Sequence, residues 1–282
     1  MKDIKDPPRG GSAPTRRILR KEANFGCAIC GEPYLTYHHF DPPWAERHHD
    51  EPEGMIALCV KHAGMADAKA FTKEQLGAFK RSPFNKGTTL ESTFEWFRQN
   101  FLFIVGGNIA FKCNTIVESS RERIIWLEED EETASRSISM NVRDQDGGLI
   151  LAMDKNQWSS DLSLIEDIDS SARGHKLKVT ATSKNASFEI TFRSIGIREL
   201  EDFLIKLLIP VDSPYAQGSR DLIAQVSSDM AKEFDEEVPL CIVSGTFYLP
   251  QKVTLRANEM IYGGVTMGCN YIGTTNPAFR FG

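Results

Sequence analysis

Apolar positions follow two regimes along this chain. From residue 108 onward they recur with the alternating or short-run spacing of strands. Ile109–Glu118, Ile124–Glu128, Ser137–Val142, Leu149–Met153, Lys176–Thr182 and Phe188–Arg193 carry β-branched or alternating apolar residues, separated by turn signals such as Asp144-Gln145-Asp146-Gly147-Gly148. Two helical stripes follow, Leu200, Phe203, Leu204, Leu207 and Leu208, then Leu222, Val226, Met230 and Phe234, each keeping one face apolar. Strand patterning then resumes in Pro239–Leu249, Lys252–Ala257 and Val265–Ile272. This half reads as a mostly antiparallel β domain, a sandwich or a stack of β turns, carrying two helices.

Before residue 108 the elements are shorter and mixed. Tyr34–Phe40 and Met55–Leu58 predict two strands, and Cys59–Ala68 a helix. Thr72 and Gln75 stand at capping-box spacing and open a further helix that ends at Lys80-Arg81-Ser82-Pro83. The basic run Arg16-Arg17-Ile18-Leu19-Arg20-Lys21 predicts a short helix upstream. Phe94, Phe97, Phe101 and Ile104 or Val105 are spaced as one helical face, which predicts a connector helix over Ser92–Val105 stopped by Gly106-Gly107. Residues 1–14, rich in proline and glycine, read as a flexible tail. The expectation is an α+β chain divided into a tail (1–14), a small N-terminal domain (15–86), a connector (87–107) and a β-rich domain (108–282).

Composition changes this picture little. The chain has 282 residues, 41% of them hydrophobic and 26% charged, which suits an ordinary globular core. No apolar run has the length of a membrane span, and Met1-Lys2-Asp3-Ile4-Lys5-Asp6 lacks the apolar segment of a signal peptide, so a cytoplasmic protein is expected. Charge is more informative. The net value is −6, yet residues 1–86 hold fourteen Lys and Arg against eleven Asp and Glu, whereas the remainder hold nineteen against twenty-eight. An anionic partner would therefore meet the N-terminal part. His175 and the acidic run Glu128–Glu132 read as structural and as solvated loop, respectively.

Candidate chemistry is concentrated in one stretch. Between Cys27 and His62 lie five of the six histidines and three of the six cysteines. Cys27-x-x-Cys30 presents two thiolates to one ion, and Cys59-x-x-His62 has the same gap, so the four residues complete a tetrahedral zinc site. Cys113, Cys241 and Cys269 are too scattered for a disulfide framework and read as thiols.

Cys27-Ala-Ile-Cys30-Gly31, then His38-His39-Phe40-Asp41-Pro42, then Met55-Ile56-Ala57-Leu58-Cys59-Val60-Lys61-His62, resembles the HNH endonuclease family with a zinc-knuckle frame, over roughly residues 15–85. The resemblance implies a ββα-metal fold in which the knuckle zinc is a scaffold and a second divalent ion, magnesium or manganese, meets the scissile phosphate. It implies His38 as ligand of that ion and His39 as the general base. Two departures stand out. Gly54 occupies the position of the asparagine that orients the base, and Ala63 that of a metal-binding histidine. Asp67 matches the place of a further ligand one helical turn on, and His48 or His49 stands where it can take over from the asparagine.

The function implied is metal-dependent hydrolysis of DNA phosphodiester bonds, with Arg16, Arg17 and Arg20 as phosphate contacts on double-stranded DNA. In such proteins the fused part, here the β-rich domain, positions substrate, mediates assembly or receives a regulatory signal, as in effectors of bacterial defence. The competing expectation, resting on Gly54 and Ala63, is a zinc-dependent DNA-binding or interaction module that no longer cleaves.

Overall fold

The computed structural model describes residues 7–282 apart from 106–107, 113, 120–121, 184–185, 210–215, 249–252, 256–259, 263–265, 268–270, 276–277 and 281–282. Cys113, Cys269, the Gly106-Gly107 stop and parts of the last three expected strands, including Leu249, lie outside the described residues. The architecture is α+β with mostly antiparallel pairing. No helix among the described residues is long and apolar enough to cross a membrane.

Helix α1 (Ala13–Glu22) starts three residues before the basic run at Arg16, inside the segment expected as tail. Ser12 caps it by accepting from Thr15 N, and Pro14 sits in its first turn, where proline's fixed φ suits a helix. Ser12 N also donates to Asp50 Oδ1 at 2.8 Å. The expected tail is thus corrected for residues 12–14: Pro14 is a helix-start signal. Strands β1 (Leu35–His39) and β2 (Met55–Cys59) form an antiparallel pair with His39 opposite Met55 and Leu35 opposite Cys59. Helices α2 (Val60–Asp67) and α3 (Lys73–Arg81) follow, the latter with the capping box of Thr72 and Gln75 formed. Leu19, Leu35, Met55, Ile56, Leu58 and Leu76 make the core of this region.

Ser92–Val105 is not a helix. It contains β3 (Thr89–Thr93) and β4 (Leu102–Val105), joined by an irregular span. Phe94 and Phe101 are buried but Phe97 is 59% exposed, so no single face is covered as a helix would require. Because β3 and β4 pair within the β-rich part, that part begins at residue 89 and no connector separates it. Ile109–Glu118 likewise divides, into β5 (Asn108–Phe111) and β6 (Thr115–Ser119), with Lys112 at φ +51° between them.

The remaining elements run β7 (Arg123–Glu129), β8 (Arg136–Arg143), β9 (Leu149–Asp154), β10 (Gln157–Asp161), β11 (Ile165–Ser170), β12 (Lys176–Ala181) and β13 (Ser187–Gly196). Helices α4 (Leu200–Leu208) and α5 (Ala216–Glu233) precede β14 (Glu237–Tyr248). Short strands β15 (Val253–Leu255), β16 (Met260–Tyr262), β17 (Thr266–Met267), β18 (Tyr271–Thr275) and β19 (Ala278–Arg280) complete the chain. One run orders β3, β10, β9, β8, β7 and β6; the other orders β11, β12, β13, β14, β4 and β5, with β4 and β14 parallel. Both runs contribute to one core that includes Trp158, Phe103, Met140 and Phe188. A second core lies where α4 and α5 cover the other side of β4, β5 and β14, through Leu102, Ile104, Leu204, Val226 and Met230.

The two regions are docked along β1. Tyr34 Oη donates to Thr93 O at 2.9 Å and accepts from Trp158 Nε1 at 3.3 Å, Leu35 bridges to Ser171, and Ser170 Oγ donates to Pro33 O. Arg20 on α1 reaches Asp167 at 2.6 Å and Asp169 at 3.1 Å on β11, and donates to Tyr37 Oη at 3.1 Å. Burial opposes the charge of Arg20, but hydrogen bonds to Asp167 and Tyr37 outweigh it and raise its pKa. Removing one partner of a buried ion pair leaves the other uncompensated. Arg20→Ala is therefore expected to lower unfolding free energy by about 3 kcal/mol, read from urea denaturation. An effect below about 0.5 kcal/mol, the range of exposed pairs, would show that the pair is solvated.

Candidate metal centre and active site

The metal centre is assembled by a tight turn and a helix start. Gly31 adopts φ +80° and donates its N–H to Cys27 O at 2.8 Å, while Cys27 N donates to Glu32 O, closing the turn that brings Cys27 and Cys30 together. Ala28 N donates to Ala57 O, which fastens this turn to β2. Cys59 ends β2 as the N-cap of α2, and His62 lies in that helix's first turn. The ligand atoms of Cys27, Cys30, Cys59 and His62 all lie within 4.8 Å of one another.

Their separations fit a tetrahedral ion. Bonds of about 2.3 Å to sulfur and about 2.0 Å to nitrogen imply edges of roughly 3.8 Å for S···S and roughly 3.5 Å for S···N. Cys30 and Cys59 sulfurs are 3.8 Å apart, and His62 Nδ1 is 3.5 Å from Cys27 Sγ and 3.3 Å from Cys59 Sγ. Burial, aided by repulsion from neighbouring thiols, raises the Cys27 pKa and pushes Cys30 up to about 12; burial also lowers His62. Without a cation, Cys27, Cys30 and His62 are thus biased toward their uncharged forms. These residues can hold a metal ion such as zinc, whose charge would draw the protons off the sulfurs.

About 720 Å³ of open groove is lined by His38, His39, Trp44, Ala63, Asp67 and Phe71, with Arg9, Lys69 and Lys73 among its rim. His38 Nδ1 and Asp67 Oδ1 are 3.3 Å apart, since Asp67 ends α2 one turn beyond Ala63 and the helix packs on β1. Burial lowers the pKa of His38, and the Asp67 carboxylate offsets part of that effect. His39 is only 5% exposed and its pKa is lowered chiefly by burial, which favours the neutral imidazole. Its Nε2 lies 3.0 Å from the carbonyl oxygen of His49. A carbonyl only accepts, so Nε2 carries the proton and Nδ1 the free electron pair.

The loop between the strands shapes the rest. Trp44 packs on His39 with ring centroids 4.8 Å apart and stacks on His48 at 4.3 Å. His49 is buried beneath, its ring edge-on to His39 at 4.6 Å. Gly54 carries no side chain because a Cβ there would lie 2.0 Å from Asp41 O and 2.9 Å from His49 Cε1.

The three arginines expected as phosphate contacts on α1 differ in their surroundings. Arg20 is buried in its ion pairs with Asp167 and Asp169, and Arg17 is bonded to Glu166; Arg16 is exposed and, among the described residues, has no carboxylate within ion-pair distance. Their acidic partners are about 150 residues away in sequence, where no local pattern exposes the pairing. Arg9, Lys69 and Lys73 line the groove instead, Lys73 at 2.5 Å from Asp41. Arg9 was hidden in the segment read as tail. His175 is exposed and bonds to Ser171, away from either site.

Comparison of the chain with protein-family models, with curated proteins and with solved structures found no match.

Proposed function

We propose that the chain is a metal-dependent nuclease of the HNH type, in which a zinc-framed ββα unit, β1, β2 and α2, hydrolyses phosphodiester bonds of double-stranded DNA. The observation that carries this reading is the placing of His39: its Nε2 lies 3.0 Å from the His49 carbonyl, and the residue lines the same groove as the His38 and Asp67 pair. A water placed against Nδ1 would lose its proton to the imidazole as it attacks phosphorus.

His38 and Asp67 would hold the divalent ion. Ligands at right angles on bonds of about 2.1 Å stand roughly 3 Å apart, close to the 3.3 Å between these atoms. Magnesium is commonly bound by one or two protein groups and substrate phosphates, so the alanine at 63 leaves a sufficient pair. Such an ion, when bound, neutralises charge developing on the phosphate and the leaving oxygen. Arg9 and Lys69 would draw the backbone into the groove, and Cys27, Cys30, Cys59 and His62 would bind zinc only to hold the frame. The β-rich region, docked along β1, would be the part through which a ligand or partner governs cleavage, as in a defence effector.

One observation favours the alternative of a DNA-binding module without cleavage. Among the described residues, the knuckle is the one cluster of three or more metal-ligating side chains, and the groove offers two. The test is nicking of supercoiled plasmid by the full chain with magnesium, manganese or nickel against chelator. Metal-dependent nicking supports the nuclease, and retention of DNA without nicking under every metal supports the module. In either case Arg9→Glu with Lys69→Glu should weaken DNA binding and flatten its salt dependence by about two phosphate contacts, measured by anisotropy between 50 and 200 mM salt. An unchanged slope would place the DNA elsewhere.

A further inference from the structure

Gly54 looks like a lost residue when the sequence is aligned by motif, but its surroundings point to a substitution of one device for another. The space a side chain at 54 would enter is filled by the carbonyl of Asp41 and the ring of His49. Gly54 O accepts from both Phe40 N at 2.9 Å and Asp41 N at 3.2 Å, which pulls the start of the loop onto it. The His49 ring is fully engaged: Nε2 is 3.0 Å from Pro42 O, and Glu51 N donates to Nδ1 at 3.2 Å. One neighbour only accepts and the other only donates, so His49 is neutral with its proton on Nε2. With neither nitrogen free, His49 is no proton acceptor for water. Its main-chain oxygen, however, is the atom that receives the His39 Nε2 proton.

We propose that His49 is the positioning residue of this site: its ring pins the loop between Pro42 and Glu51 so that its own carbonyl fixes His39 in the tautomer with Nδ1 unprotonated, and Gly54 is the residue that makes room for it. This rests on the nuclease reading for its purpose, but its geometry is open to a measurement that needs no activity. Truncating the ring frees the loop, and His39 then loses a fixed acceptor. A base displaced by about 1 Å costs about 100-fold in rate. His49→Gln retains a side-chain amide able to donate to Pro42 O, so it should keep the loop in place better than His49→Ala. Gly54→Asn, which restores the motif residue, should harm the site instead of improving it, because the backbone of Asp41 cannot yield 1 Å cheaply.

The experiment uses the full zinc-loaded chain with ¹⁵N-labelled histidine. Long-range ¹H–¹⁵N correlation of wild type should show His39 and His49 each as a single tautomer protonated at Nε2. In His49→Ala, with zinc content unchanged, His39 should become a mixture of tautomers, and any plasmid nicking should fall about 100-fold in kcat with little change in KM; His49→Gln should restore a single His39 tautomer. Wild-type His39 protonated at Nδ1, or a His39 signal unchanged in His49→Ala, overturns the proposal. A wild type with the expected tautomers that nicks nothing under any metal would defeat the nuclease reading and leave the positioning role of His49 standing. Should His49→Ala fail to fold, the wild-type tautomers and the Gly54→Asn spectrum still decide: a Gly54→Asn chain with both tautomers intact overturns the claim that glycine is required.

Discussion

Stripping metal from the Cys27, Cys30, Cys59 and His62 centre is expected to unfold the N-terminal region while much of the β-rich core survives. Structural zinc contributes an apparent roughly 10–16 kcal/mol at neutral pH, as much as the roughly 5–15 kcal/mol that stabilises a whole domain. Cys27 is fully buried in the small core beside Leu19, Leu35 and Leu58, and β2 runs directly into Cys59. Loss of the ion therefore removes the link between the turn, the hairpin and α2 at once. The larger core around Trp158, Met140 and Phe188 draws on this region through Phe25 and Tyr34 alone, so its strands should persist. Hydrogen exchange with and without a strong chelator is the measurement, with Cys27→Ser as the genetic equivalent. Amides of Met55–Cys59 should lose protection and those of Phe188–Phe192 should keep most of theirs. Equal protection of Met55–Cys59 in both conditions would mean the frame stands without metal.

What could be read in advance was whatever depends on near neighbours in sequence. The knuckle pairs are two residues apart, the hairpin strands carry their own apolar runs, and Thr72 meets Gln75 within one turn. The segment Leu102–Val105 is a strand where spacing predicts a helix. As β4 it is buried on both faces, Phe103 and Val105 in the large core and Leu102 and Ile104 under α4 and α5. A strand covered on both sides reads as an unbroken apolar run, which spacing alone cannot tell from a helix. Strands β10 and β11 carry no such apolar run. Ser160 and Ser170 are buried where apolar residues would mark the period, and a register shift between Ile165 and Asp167 breaks the alternation.

The candidate site divides in the same way. His38 and His39 announce themselves as a pair, but the partner of His39 is a main-chain oxygen, which no residue identity reveals. The ion pairs of Arg20 join α1 to β11 across some 147 positions, so Arg20, and with it Arg17 on Glu166, is engaged in docking while Arg16 stays exposed. Arg9 and Lys69 come to the groove only through the folding of α1 and the end of α2 around it. Charge counted along the chain does not tell which cations are engaged by carboxylates distant in sequence.

Replacing His39 should separate a nuclease from a binding module. Its imidazole packs between Trp44 and His49, so His39→Ala would leave a void and the His49 carbonyl without a donor, a cost to stability of about 1–3 kcal/mol that confuses a loss of activity with a loss of structure. His39→Gln avoids much of this: its amide nitrogen can donate to the same carbonyl, yet the side chain has no basic nitrogen. Removing a general base typically lowers the rate 10²- to 10⁴-fold, about 3–5 kcal/mol of barrier. His39→Gln is therefore expected to bind DNA and zinc as wild type does and to nick plasmid at least about 100-fold more slowly. His38→Ala should act differently, raising the concentration of magnesium or manganese needed for nicking, because it removes one of two groups that would hold the ion. If His39→Gln cuts as fast as wild type, the base is elsewhere. His49 would not take its place, since both of its ring nitrogens are already bonded, and the search would turn to the exposed His48 that stacks on Trp44.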